Sequence, residues 1–214
     1  MLIVWGRPSA YNFQKARWFI EELDIEYKHV NAGGSLGGLD SDEFLAMNPN
    51  GRIPVIQDGD QIIWESNTIL RYLAAVYSSG DYWSKSPADR SVFERWMDWE
   101  LSTLQPSFLG LFWSYYRTPE SQRDNEKIEH HRKRCEESIK VLDSHLRKNE
   151  YVSGGKFGLG DICVGTCFFR YFNMGIEVGS QENVNKWYAR LSDRPCYQEI
   201  IQAPFDELKG RLDF

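Results

Sequence analysis

Glu65 and Ser66 stand where an apolar strand-like run, Gln61-Ile62-Ile63-Trp64, gives way to a helical pattern. A helix starting there leaves its first N–H groups free and points the positive end of its dipole outward, an arrangement that accepts a carboxylate. The Glu65 side chain beside it can take hydrogen bonds from an ammonium group, so the pair suits an α-amino acid head group. Ser66 also reads as a plain helix N-cap, the commoner use of a serine at such a boundary.

Pro54 interrupts the otherwise strand-like Ile53-Pro54-Val55-Ile56. A proline there removes a ladder donor and calls for an edge, a bulge or a cis bond. If the Ile53–Pro54 bond is cis, the backbone of Ile53 turns outward and offers its N–H and C=O to an extended peptide; an edge strand explains the proline equally well. A third group, Ser9, Tyr11 and Asn12, occupies the loop after the first strand and the start of the first helix. A hydroxyl donor at a helix N-terminus lowers the pKa of a bound thiol and makes it nucleophilic. Taken singly, the same residues read as a turn serine, a half-exposed aromatic and a cap.

The elements that carry these residues follow from periodicity. Leu2–Trp5 is a short buried strand, and apolar Ala16, Phe19, Ile20 and Leu23 recur at helical spacing over 12–23. Ile25–Asn31 supplies a second strand, which the intervening helix makes parallel to the first. The stretch Gly33-Gly34-Ser35-Leu36-Gly37-Gly38 suits tight turns, and Ser41–Met47 a short helix. Ile53–Ile56, the turn Asp58-Gly59-Asp60 and Gln61–Trp64 form a hairpin, and a helix runs from Ser66 to about Tyr77. The order is βαβαββα.

Beyond a polar linker the strand signals vanish. Amphipathic segments over 87–116 and 119–148 precede shorter ones near 161–173, 182–192 and 197–201. A mixed α/β half followed by an all-α half makes two domains.

The 214 residues and a net charge of −6 offer no general attraction to nucleic acid or anionic lipid. No apolar run approaches the roughly eighteen residues of a membrane span. The four cysteines, Cys135, Cys163, Cys167 and Cys196, lack CxxC spacing and fit a reducing cytoplasm. Cys163 and Cys167 read as buried packing, and His130-His131 as a solvated helix face rather than a metal site, because adjacent helical residues diverge.

Together, the Pro8-Ser9 loop, Asn48-Pro49-Asn50-Gly51-Arg52-Ile53-Pro54-Val55, Trp64-Glu65-Ser66-Asn67-Thr68-Ile69-Leu70-Arg71-Tyr72-Leu73, Gly158-Leu159-Gly160-Asp161-Ile162 and the late Trp187-Tyr188 block resemble the cytosolic glutathione S-transferase family over nearly the whole chain. The resemblance implies a thioredoxin-like glutathione-binding domain at 1–79 and a helical domain at 86–214 that shapes a hydrophobic substrate site. Ile53 would bind the cysteinyl backbone of glutathione beside a cis Pro54, Glu65 and Ser66 its γ-glutamyl head, and Arg52 would lie nearest the glycyl carboxylate.

The family's catalytic tyrosine falls where this chain has Trp5-Gly6, and no cysteine lies in the first loop. The chain is therefore similar to bacterial members that lack both, with Ser9 first, Asn12 second and Tyr11 third as the group that activates the thiol. Phe108, Phe112, Trp113 and Tyr116 are expected to supply the hydrophobic substrate site, although helical spacing sends some aromatics of this cluster to the core. The resemblance further implies glutathione as co-substrate with no metal or redox cofactor, a homodimer, a cytoplasmic location and a role in detoxification. The second substrate would be a hydrophobic electrophile, a peroxide or a disulfide. A glutathione-binding or protein-interaction module without catalysis is the alternative on the same fold. Gly158 departs from the serine or threonine usual three residues before Asp161, which leaves Asp161 as a structural residue with one reciprocal capping bond.

Overall fold

The computed structural model describes residues 1–179 and 181–212. The chain divides into two compact units, Met1–Ser84 and Lys85–Leu212. The first is a four-stranded sheet with helices: β1 (Leu2–Gly6), α1 (Tyr11–Glu22), β2 (Tyr27–Asn31), α2 (Asp42–Met47), β3 (Val55–Asp58), β4 (Gln61–Trp64) and α3 (Ser66–Tyr77). The spatial order is β2-β1-β3-β4. β2 runs parallel to β1, with Val4 opposite His29, while β3 runs antiparallel to both β1 and β4, with Ile56 facing Val4 and Ile63.

Leu2 and Val4 from β1, Val55 and Ile56 from β3, Phe19 and Ile20 from α1, and Ile69, Leu70 and Leu73 from α3 are all buried and make this unit's core. β3 begins at Val55, not at Ile53, because Pro54 has no N–H to give the ladder. The glycine-rich stretch forms a turn closed by Gly33 N–H donating to Gly37 O at 2.8 Å. Asp58 then ties the hairpin to α3: its Oδ2 accepts from the hydroxyls of Tyr72 at 2.9 Å and Tyr77 at 2.6 Å. The bond to Asp58 pushes the Tyr77 phenol up to about 12.

The second unit is helical. A rod runs from Pro87 to Arg117 as α4 (Pro87–Trp99), a π-wound stretch (Glu100–Leu104), α5 (Gln105–Leu111) and a second π-wound stretch (Phe112–Arg117). Pro106 explains the first irregularity, since a helix-interior proline removes one bond and crowds the preceding turn. The segment expected over 119–148 is in fact a 3₁₀ turn (Glu120–Gln122) followed by α6 (Asn125–Leu146). Asp124 restarts the helix by accepting from Glu126 N–H at 3.0 Å and Lys127 N–H at 3.1 Å.

α7 (Leu159–Gly165), α8 (Phe168–Asn173), α9 (Glu182–Ser192) and α10 (Pro195–Ile200) complete the unit. Asp161, fully buried, is its polar hub. Its carboxylate accepts from Val152 N–H at 2.7 Å, Ser153 N–H at 3.1 Å, Gly158 N–H at 3.0 Å and the Trp187 indole at 2.8 Å. Ser153 supplies the cap that Gly158 lacks, taking Gly160 N–H on Oγ at 3.0 Å. A Cβ on Gly158 would lie 2.8 Å from that same Oγ, so the glycine makes room for the borrowed cap.

His131 corrects the expectation of a solvated pair. His130 is exposed, but the His131 ring packs over Gly110, where a Cβ would come within 2.3 Å of Nδ1. Burial and the nearby His130, Lys127 and Arg134 hold its pKa below the usual histidine value. Cys163 and Cys167 are buried, in keeping with a packing role. Among the described residues no helix is long and apolar enough to cross a membrane.

Candidate functional site

The residues singled out in the first half of the chain gather on the first unit. The Ile53–Pro54 peptide is cis, and Ile53 enters no hydrogen bond with the described residues. An N–H donor and a C=O acceptor are thus left for an extended peptide to pair with.

Just beyond the adjoining strand, Glu65 rather than Ser66 is the N-cap of α3. Its backbone is left-handed, with φ +70°, a conformation that non-glycine residues rarely adopt and that concentrates at functional sites. This turn leaves the Glu65 side chain exposed and sets Ser66, only 4% exposed, as the first residue of the helix. The first turn of α3 therefore presents its N–H groups and the Ser66 hydroxyl beside an acidic side chain.

α1 begins at Tyr11, after a turn in which Ala10 N–H donates to Arg7 O at 3.0 Å. Ala10 is the N-cap and brings no side-chain acceptor, so neither Ser9 nor Asn12 caps α1. Ser9 lies half-buried in the turn, and Tyr11 is buried. Asn12 is the second residue of the helix and meets the other half of the site, its Oδ1 accepting from the Ser66 hydroxyl at 3.4 Å. Since Oδ1 faces Ser66, the amide NH₂ points the other way as a donor.

One turn further along α1, Lys15 is wholly buried, and its ammonium donates to Asn67 Oδ1 at 3.1 Å. Sequence reasoning passed over this pair, because a lysine gives no apolar signal and its burial depends on the α3 partner. Arg52 is exposed, and its carbonyl accepts from the Asn48 amide at 2.8 Å, fixing the loop ahead of Ile53.

In the helical unit, three of the four aromatics expected at a substrate pocket are core. Phe108, Phe112 and Tyr116 are 1%, 3% and 4% exposed. They stack in sequence, with ring centroids 5.7 Å and 5.1 Å apart, because i, i+4 spacing puts all three on one helix face. Phe205 closes the stack 4.9 Å from Tyr116. Trp113, on another face, is half-buried and carries the Arg117 guanidinium 4.3 Å above its ring.

Both units match known proteins. Residues 1–75 match the family model of the glutathione S-transferase N-terminal domain, and residues 104–195 that of the C-terminal domain. Glutathione S-transferase GstB of Escherichia coli (strain K12) is 38% identical over 206 residues, which cover 95% of this chain and 99% of the relative. Glutathione S-transferase 3 of Zea mays is 26% identical over 209 residues, 94% of each chain. A theta class glutathione S-transferase from Xanthomonas axonopodis pv. citri, solved with glutathione bound, superposes with a TM-score of 0.90 at 40% identity, covering 95% of this chain and 98% of that one. Two family models matched in order, and relatives of this identity aligned almost end to end, establish that the chain belongs to the glutathione S-transferase family.

Proposed function

We propose that the chain is a glutathione transferase that binds glutathione on its first unit and directs the peptide's thiolate at a hydrophobic electrophile. The observation that carries the reading is the Ser66–Asn12 contact, which joins the first turn of α3 to the first turn of α1. In this reading the Ile53 backbone pairs with the cysteinyl residue. The first N–H groups of α3, that of Ser66 among them, take the γ-glutamyl carboxylate, Glu65 takes its ammonium, and Arg52 is the cation for the glycyl carboxylate.

Asn12 moves ahead of Ser9 as the thiol-activating group, because the Ser66 bond already orients its amide. An N–H donated to sulfur favours the thiolate over the thiol. The thiol proton passes to solvent, the sulfur lone pair forms the new S–C bond, and the leaving group departs with its electron pair. Trp113, half-buried, is the least enclosed of the four aromatics, and this reading assigns it to the second substrate. The reading includes a cytoplasmic homodimer; exposed Ile62 and Trp64 on the edge strand β4, with Val76 and Tyr77 on α3, are apolar surface of the kind that interfaces cover.

Calorimetric titration with reduced glutathione, together with thiolate absorbance across pH, tests the proposal. Saturable binding with thiolate appearing well below glutathione's solution pKa supports it. Binding with no such shift points to the non-catalytic alternative, and absence of binding overturns the site.

A further inference from the structure

Lysine is among the residues least often wholly buried, because taking an ammonium out of water is costly unless it is paired. Lys15 is 0% exposed all the same. Its Nζ bonds Asn67 Oδ1 at 3.1 Å and lies 5.4 Å from the centre of the Tyr11 ring. Asn67 is itself only 4% exposed.

The placement is orderly. Lys15 follows Asn12 by three positions, so both lie on the same face of α1, and Asn67 directly follows Ser66 on α3. Two polar links, Asn12 to Ser66 and Lys15 to Asn67, therefore run side by side between the two helices. Apolar packing already joins them, with Ala16, Phe19 and Ile20 on α1 and Ile69, Leu70 and Leu73 on α3 all buried. A methionine at position 15 would serve that packing without desolvating a charge. What apolar packing lacks is direction: a hydrogen bond of fixed length sets the rotation of the first turn of α3, and so the aim of Ser66.

We propose that Lys15 is a positioning residue of the glutathione site, acting through Asn67 to hold the first turn of α3 where Ser66 and its neighbouring N–H groups meet the γ-glutamyl carboxylate. This inference rests on the glutathione-binding reading above. Lys15 touches no substrate in this scheme; its effect is on capture of glutathione, not on the chemistry at sulfur.

The test is a double-variant cycle on the full-length protein. It uses Lys15→Met, Asn67→Ala and the pair, each checked for cooperative melting, with glutathione as the titrant and steady-state kinetics alongside. Each single variant is expected to raise the glutathione KM and Kd about tenfold, the size of coupling between neighbouring polar groups, with the double variant no worse than Lys15→Met alone. At saturating glutathione, kcat stays at the wild-type value, and Lys15→Arg recovers part of the affinity. Should Lys15→Met fail to fold, Asn67→Ala and Lys15→Arg decide the matter: a raised KM in the former with partial retention in the latter supports the link. Wild-type KM in a folded Lys15→Met or Asn67→Ala protein overturns it, as do additive losses in the double variant. Failure of the wild-type protein itself to bind glutathione is a separate result, which removes the site and this inference with it.

Discussion

The hydroxyl of Ser66, the first residue of α3, donates to Oδ1 of Asn12, the second residue of α1, at 3.4 Å. Fifty-four positions apart in the chain, they join the two helix N-termini at which the proposed ligand's carboxylate and thiol would be held.

Their substitutions should separate. Ser66→Ala removes the hydroxyl bond that ties the first turn of α3 to α1 and should cost about 0.5–1.5 kcal/mol of glutathione binding. Asn12→Ala should chiefly lower kcat and move the bound thiol's titration to higher pH. Calorimetry and the pH dependence of thiolate absorbance read the two effects apart; identical profiles for both variants would refute the division of roles.

Asp161→Ala should be among the most damaging changes in the helical unit. It strands three backbone N–H groups and the Trp187 indole inside the core. Each stranded buried donor costs about 1–3 kcal/mol, so a loss of at least about 3 kcal/mol is expected by urea denaturation.

Gly158 and Ser153 make a reciprocal pair. Gly158→Ser should destabilise, because its Cβ meets Ser153 Oγ at 2.8 Å, and Ser153→Ala should cost about 1 kcal/mol by uncapping Gly160. Paired instead with Ser153→Gly, which removes both the Oγ at 2.8 Å and the Cβ at 2.9 Å, Gly158→Ser loses its clash and returns a serine to the usual capping position. The double variant should be more stable than the sum of the singles predicts, which thermal melts will show.

His131 sets a pH dependence of stability. Its folded pKa is depressed, so the unfolded chain binds more protons as pH falls through the unfolded value of about 6.5. Stability is therefore full above that pH and declines below it, down to the folded pKa. His131→Asn should flatten this part of the curve, as measured by denaturation midpoints between about pH 7.5 and 5.

Much of the first unit was legible because its strands, turns and helices are local patterns. The Asp58-Gly59-Asp60 turn and the Trp64-to-Ser66 switch are decided within a few residues. The cis Ile53–Pro54 bond was one of the open options, and the structure has it. Ser66 was read as the N-cap because serine favours that place; the left-handed Glu65 took it instead, which no propensity would suggest. Asn12 meeting Ser66, Lys15 beneath Asn67 and His131 over Gly110 were not legible, because each needs a partner from a distant element. In the helical unit, residue types identified an aromatic cluster, but not that Phe108, Phe112 and Tyr116 would spend their rings on one another.

The distribution of sulfur has a practical side. All four cysteines belong to the helical unit; Cys135, Cys163 and Cys167 are buried, and burial pushes the Cys135 thiol up to about 12, while Cys196 is partly exposed. The sheet-bearing unit offers a maleimide no target at all. A single dye coupled at Cys196 would report on the helical unit alone, and any thiyl radical, nitrosothiol or persulfide found on the sheet-bearing unit would have to belong to a captured ligand and not to the protein.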